Sequence, residues 1–374
     1  MVLVYIVIAV AFIDTFSQLP IISPFAMSTG ASPLLVGIII GTYSFSNMIG
    51  NILSGIWIDR IGSKRILYLG MLLVGIVLIF YTTVSNPYQL LVVRFFHGIA
   101  GGFIVPAAFT YLGTRGKRKA KGKTMAFSGA GVGVAAIAGP ALGAIVSGRY
   151  GYDTLFYLVS SLMIVFGMLA AFCLKNSPTP KPVDGMKKSM TFPNIKPLVP
   201  AYLSIFLLLY TLGLLTYLLP LKVEALHGQS EITGLLMSVF GLVAIVLFIL
   251  PTNKLFDQWE KTVLMKSGLI IISIALIVLS ISFTIWQMFL AMGLYGIGFA
   301  LIFPSTSATV IECSKENEKG RAFGLFYACF SLGVMFGSFI AGLLPLIPTF
   351  QFFIGALFVL ITVFIHSALS RFRI

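Results

Sequence analysis

The stretch Gly55–Leu67, "GIWIDRIGSKRIL", changes character twice within a few residues. It leaves an apolar run at Asp59, carries Asp59, Arg60, Lys64 and Arg65 through its middle, and enters a second apolar run at Ile66. To its left, 33–58 holds no charge; to its right, 66–84 holds none. A run of about 20 apolar residues is long enough to cross the hydrocarbon core of a bilayer as a helix. A short charged turn between two such runs is the signature of two membrane helices joined at the water interface.

Working outward, the same pattern recurs. Twelve runs can be counted, at 3–25, 33–58, 64–84, 88–113, 124–147, 153–174, 198–221, 230–253, 262–283, 286–311, 321–344 and 350–370. They explain why the chain is 58% hydrophobic and only 10% charged, where a soluble chain carries about 25% charged residues. In lipid only helices and closed barrels satisfy the backbone. The expected fold class is therefore an all-α membrane protein with twelve transmembrane helices and no room for a soluble domain. The first run lacks the basic n-region of a signal peptide and is expected to be a span.

A net charge of +14 in a soluble protein would point to nucleic acid. Here the positions give another reason. All but Arg94, Arg149 and Lys222 of the 25 basic residues fall in alternate loops and the C-terminal tail, including the cluster "GTRGKRKAKGK". The positive-inside rule then places both termini in the cytoplasm, with no nucleic-acid partner. The cysteines, Cys173, Cys313 and Cys329, are widely spaced and form no CxxC pair, so neither a metal site nor a disulfide framework is expected.

The longest polar stretch, "KNSPTPKPVDGMKKSMTFPNIKP" from Lys175 to Pro197, reads as a linker between halves. The halves match at an offset of 198: Ser32 with Ser230, Asp59 with Asp257, Gly98 with Gly296, Pro106 with Pro304, Lys121-Gly122-Lys123 with Lys319-Gly320-Arg321, and Gly139 with Gly337. One register that holds across charged loops argues for duplication. The expected domains are a six-helix bundle at 1–174, a cytoplasmic linker at 175–197 and a second six-helix bundle at 198–374. A site between two such halves, opened alternately to each side, is a transporter architecture.

In the opening stretch, Gly55 allows close helix approach, Asp59 can pair with basic residues or cap a helix N-terminus, and Gly62 suits a tight turn. This loop resembles the major facilitator superfamily signature between its second and third helices. "RFFHGIAGGFIVPA" is similar to the family's R-x3-G-x2-G pattern through Arg94, Gly98 and Gly101. "GVGVAAIAGPALGA", with Gly139, Pro140 and Gly143, resembles the antiporter signature of the superfamily's proton-driven exporters, with Ala135 and Ala144 where glycines are common. The second-half loop, "PTNKLFDQWEK", keeps Asp257 but loses the turn glycine. The resemblance spans the chain and implies the major facilitator fold, rocking halves and a gating role for the loop Gly55, Asp59, Arg60, Gly62, Lys64 and Arg65. Physics alone reads Pro140 as a bend and Gly131, Gly133, Gly139 and Gly143 as a bare face for backbone packing, which could seal the halves against leak.

Asp14 sits within the first apolar run, in "AFIDTFSQLP". It and Arg94 are the only acid and the only strong base well inside any of the twelve runs. The first helix runs outward from residue 3 and the fourth runs inward, so Asp14 and Arg94 are expected at similar depth, and the family resemblance implies that both helices line the central cavity. Burial opposes a carboxylate's charge and a nearby guanidinium favours it, so Asp14 is expected to carry the coupled proton. A fixed structural pair with Arg94, or a hydrated position in the outer funnel, are the competing readings. His97, one turn from Arg94, is read as a hydrogen-bonded core histidine or a relay. Gln18, Asn47 and Asn51 are the amides placed well inside helices. Tyr43, Tyr111, Tyr210, Tyr217, Tyr295 and Tyr327 add phenols.

So few polar groups do not suit a sugar, which needs many donors and acceptors to replace its water. An aromatic, weakly polar cavity with one acid suits a lipophilic or amphipathic substrate. The leading reading is a proton-coupled exporter of such molecules. Transport of a specific metabolite and lipid flipping on the same fold are alternatives. An intramembrane enzyme is disfavoured: the three histidines, His97, His227 and His366, are far apart and no HExxH occurs. No GxxxxGK[ST] loop is present, so the proton gradient, not a cofactor or ATP, is the expected driving force. The expected setting is the cytoplasmic membrane, as a monomer.

Overall fold

The computed structural model describes residues 2–115, 121–175, 195–249, 259–314, 319–344 and 346–371. Every regular element among them is helical. In chain order these are α1 Val2–Gln18, α2 Ile22–Ser28, α3 Pro33–Ile61, α4 Ser63–Phe80, α5 Pro87–Gly102, α6 Ile104–Arg115, α7 Lys121–Tyr150, α8 Tyr152–Cys173, α9 Val199–Ala225, α10 Ser230–Ile249, α11 Lys261–Ile281, α12 Ile285–Cys313, α13 Lys319–Leu343 and α14 Pro348–Arg371. Among the described residues ten helical stretches are long and apolar enough to cross a membrane, and eleven if the bent pair α1–α2 is one span. The remaining expected run, 124–147, is helical within α7.

Local chemistry sets the ends. Asn86 caps α5 by accepting from the Tyr88 and Gln89 amides, and Pro87 takes the first turn, where no donor is missed. Thr284 and Gln287 form a capping box at the start of α12. Gly62 stands between α3 and α4 at φ 89°, a left-handed conformation that favours glycine. The 51° bend between α1 and α2 lies at Leu19–Ile21, around Pro20. Helix starts repeat at the offset read from the sequence: Ser63 and Lys261, Pro87 and Ile285, Lys121 and Lys319.

The chain divides into two compact units, one of Met1–Ser32 with Thr42–Thr191, the other of Pro33–Gly41 with Phe192–Ile374. In the first unit α1 packs mainly on α7, and α4 on α8. The second repeats the first pairing, with α9 on α13, while α11 packs on both α12 and α14. The segment Pro33–Gly41, expected in the first bundle, groups with the second unit, where the Tyr217 hydroxyl donates to the Pro33 carbonyl at 2.9 Å. Large apolar side chains stand fully outward, such as Phe172 at 86% exposed and Phe283 at 82%. A bilayer solvates such faces; water does not. The side chain of Asp59, the linker positions 176–194 and Asp257 lie outside the described residues.

Candidate functional site

The buried charges of the first unit converge on α1. Asp14 is 2% exposed, Arg94 5% and His97 0%. The Gln18 amide nitrogen, one turn along the same helix, donates to Asp14 Oδ1 at 2.8 Å, and its oxygen accepts from Arg94 Nη1 at 2.9 Å. Gln18 thus links the guanidinium to the carboxylate. His97 Nε2 lies 3.1 Å from Asp14 Oδ2. On the other side of the imidazole, Nδ1 is 2.9 Å from the Tyr81 hydroxyl. Tyr81 is itself buried and belongs to a short 3-10 turn, Tyr81–Thr83, that follows α4.

Aromatic rings close the site. The Arg94 guanidinium carbon sits 4.5 Å from the centre of the Tyr43 ring, a cation–π contact. Tyr43 meets the His97 ring edge-on at 5.0 Å, and its hydroxyl is 3.5 Å from Thr15 Oγ1. A buried carboxylate, a guanidinium and an imidazole are tolerated here because each is hydrogen-bonded to another member of the network. The arrangement can hold a carboxylate in a buried, hydrogen-bonded interior.

Asp14, Gln18, Tyr43, Arg94 and His97 therefore come together. Asn47 does not join them. Its amide donates to the Gly98 carbonyl at 3.3 Å and accepts from Asn51, so it binds α3 to α5. Ser54 does the same at the Phe103 carbonyl, where α5 breaks before α6. Of the other phenols, Tyr111 and Tyr217 donate to the carbonyls of Lys175 and Pro33, and Tyr210 and Tyr295 are buried in the second unit. Only Tyr327 of that set is exposed, at 40%. Tyr81 was missed: it closes an apolar run, and no spacing in the sequence links it to His97.

The glycines Gly139 and Gly143 of the antiporter-like motif, which lies in the fifth of the twelve runs (the helix-five motif, on α7), also meet α1. A Cβ at Gly139 would come within 2.7 Å of Phe16 Cβ, and one at Gly143 would overlap the Ser17 carbonyl. The bare face of α7 thus packs on the turn between Asp14 and Gln18, with Pro140 inside the helix. In the charged loop, Arg60 and Arg65 are exposed and Gly62 makes the turn. A Cβ at Gly55 would meet nothing within 4 Å among the described residues, so the close approach expected there is not seen.

The second unit carries an uncharged counterpart. At the same offset His97 matches Tyr295, and Asp14 matches Leu212. Tyr295 bonds the neighbouring helix through Thr211 Oγ1 at 3.0 Å and the Leu208 carbonyl. Tyr295→Phe is expected to cost about 1 kcal/mol of stability and to leave any pH dependence of activity unchanged, as read by thermal melting in detergent alongside a pH profile. Among the described residues no three His, Cys, Asp or Glu side chains gather to hold a metal.

A family model described as Major Facilitator Superfamily matches residues 4–221 and again 201–372. The chain belongs to the Major Facilitator Superfamily. It is accordingly a multi-pass membrane transporter. Multidrug resistance protein 2 of Bacillus subtilis (strain 168) is 22% identical over 347 residues, covering 90% of this chain and 86% of that protein. Multidrug resistance protein MdtG of Escherichia coli O9:H4 (strain HS) is 26% identical over 292 residues, covering 75% and 71%. The crystal structure of a peptide transporter in complex with alafosfalin superposes with TM-score 0.82 at 12% identity, covering 99% of this chain and 93% of that one. This last likeness concerns the fold alone.

Proposed function

We propose that this superfamily member is a secondary active transporter that exports a lipophilic or amphipathic small molecule in exchange for protons, and that Asp14 takes up and releases the proton. One observation carries the reading. Asp14 is buried in an apolar helix, and its two oxygens face separate partners, Gln18 and His97, which sit on different helices. An ionisable group placed inside a membrane helix is costly, and its presence there argues for use. A shift of α1 relative to α5 would change the Asp14–His97 contact and leave the Asp14–Gln18 contact in place. Proton affinity would then depend on conformation, as coupling requires.

Two further observations support the substrate class. Relatives over most of the chain are named multidrug resistance proteins. On α13, Phe323, Phe326, Tyr327 and Phe330 form a run of rings with centroids 5.6–6.4 Å apart. Rings at this spacing favour flat, apolar or cationic molecules. The basic alternate loops orient both termini toward the cytoplasm, in the cytoplasmic membrane. The helix-five seam and the charged loop would serve the rocking of the halves.

The test uses protein in liposomes with an acidic lumen and a panel of probes, from tetraphenylphosphonium to neutral amphiphiles. Outward proton flow should drive at least one probe inward, and a protonophore should abolish that uptake. If a pH gradient moves no probe, the coupling reading fails.

A further inference from the structure

One oxygen of Asp14 faces a partner that can either donate or accept. Arg94 offers only donors, so the Gln18 oxygen must face it, and the Gln18 amide nitrogen must face Asp14 Oδ1. Oδ1 is therefore an acceptor. A proton on Asp14 belongs on Oδ2, directly against His97 Nε2. A neutral imidazole has one donor and one acceptor nitrogen. When Tyr81 donates to Nδ1, the hydrogen sits on Nε2 and points at Oδ2. That state suits a carboxylate and opposes a carboxyl proton at the same place.

We propose that Tyr81 is a positioning residue for Asp14: by donating to His97 Nδ1 it holds the Nε2–H tautomer, and it thereby sets the pH at which Asp14 is protonated. The effect on transport rests on the reading of Asp14 as the coupling group; the tautomer does not. The two states differ by one proton. In the ionised state Tyr81 donates to Nδ1 and Nε2–H donates to Oδ2. In the protonated state an Oδ2–H bond has formed and donates to Nε2, whose own hydrogen is gone. An Nδ1–H bond has replaced it and donates to the Tyr81 oxygen. The phenolic hydrogen must then turn away from His97. Phe25 and Phe156 pack on the Tyr81 ring, with ring centres 6.4 and 4.5 Å from its own, and Arg94, which hydrogen-bonds the Tyr81 oxygen, offers only donors. Among the described hydrogen bonds Tyr81 has no second acceptor, and a ring face is a weak one. Tyr81 therefore penalises the protonated state.

The polar and charged groups facing this network are Thr15 and Gln18 from α1, Tyr43 from α3, and Arg94 with His97 from α5. Three further helices pack on α1: α7 and α8 contribute Gly139, Gly143 and Phe156, which do not titrate, and on α6 the Tyr111 hydroxyl is taken by the Lys175 carbonyl.

Imidazole 15N NMR of the full-length protein reads the tautomer directly. The chain has three histidines, so His97 is assigned by replacing His227 and His366. Wild-type His97 is expected as the Nε2–H tautomer at high pH, and Tyr81→Phe should give a mixture. In liposomes, Tyr81→Phe should move the half-maximal pH of proton-driven probe uptake upward by about one unit, a tenfold gain in proton affinity. The sign follows from removing a penalty on the protonated state, which then persists to higher pH. Adding Tyr81→Phe to His97→Gln should produce no further shift, because Tyr81 acts through His97. An Nδ1–H tautomer in the wild type overturns the proposal without any variant. So does a folded Tyr81→Phe protein with unchanged tautomer and unchanged profile. If Asp14→Asn keeps full proton coupling, the coupling reading falls instead, and the tautomer spectrum still decides the role of Tyr81.

Discussion

Asp14→Asn should remove substrate-driven proton flux by about 100-fold or more, the scale on which loss of a proton-transfer group is felt. The protein should still fold and still bind its probe. The amide keeps the shape of the carboxylic acid. Its oxygen can accept from Gln18, and its NH2 can donate to His97 Nε2 once the ring takes the other tautomer. The variant thus imitates protonated Asp14 permanently. Transport that needs a full proton cycle stops, whereas exchange of probe across the membrane, which needs none, continues. Asp14→Leu makes the contrast. It leaves the Gln18 amide and His97 without their shared acceptor and the buried Arg94 without the nearby negative charge, and the loss of one partner from a buried charged network costs about 3–5 kcal/mol. That variant should express poorly or melt far lower. Proton flux measured with a pH-sensitive dye separates the cases: flux that survives Asp14→Asn would mean another group carries the proton.

This expectation was partly legible in the amino-acid sequence. Asp14 and Arg94 stood out because an uncharged run makes any charge visible, and their opposite signs at similar depth suggested one site. The register between the halves was equally plain, and helices start at matched positions on it. What the sequence does not encode locally is which turn of one helix faces which turn of another. Tyr81 reaches His97 only because the turn ending α4 comes over α5. Asn47 looked like a cavity group, yet the break at Phe103 and the close approach at Gly98 draw it into the α3–α5 seam. Polar groups at a helix break are claimed by orphaned carbonyls before any ligand can use them. Tyr295 was likewise one phenol among several until its bond to Thr211 showed it filling the place of His97 in the other unit.

Gly143→Ala should be among the most damaging single-methyl changes in the chain. The added carbon would overlap the carbonyl oxygen of Ser17 and crowd its Cα, which lies 2.9 Å from the Cβ position. Both are backbone, so no side-chain rotation relieves the clash and the helices must part. Overpacking of this kind costs about 1–3 kcal/mol, occasionally more. The site feels it at once, because Ser17 sits between Asp14 and Gln18 and its hydroxyl donates to the Asp14 carbonyl at 3.1 Å. The second unit indicates how narrow the tolerance is. There the position matching Gly143 is Ala341, which is buried, but α9 supplies Gly213 where α1 has Thr15. Gly213 meets the Val334 carbonyl, so both helices of that seam give up side chains, whereas in the first unit the glycines of α7 carry the approach. Gly293→Ala is the control, since a Cβ there meets nothing within 4 Å. Melting in detergent should show a large drop for Gly143→Ala and none for Gly293→Ala. Any folded Gly143→Ala protein should also show a changed pH profile, because α1 has moved and carried Asp14 away from His97 on α5. Equal melting of the two variants would mean that α1 and α7 do not approach as closely as the geometry at Ser17 requires, and that the helix-five glycines act elsewhere.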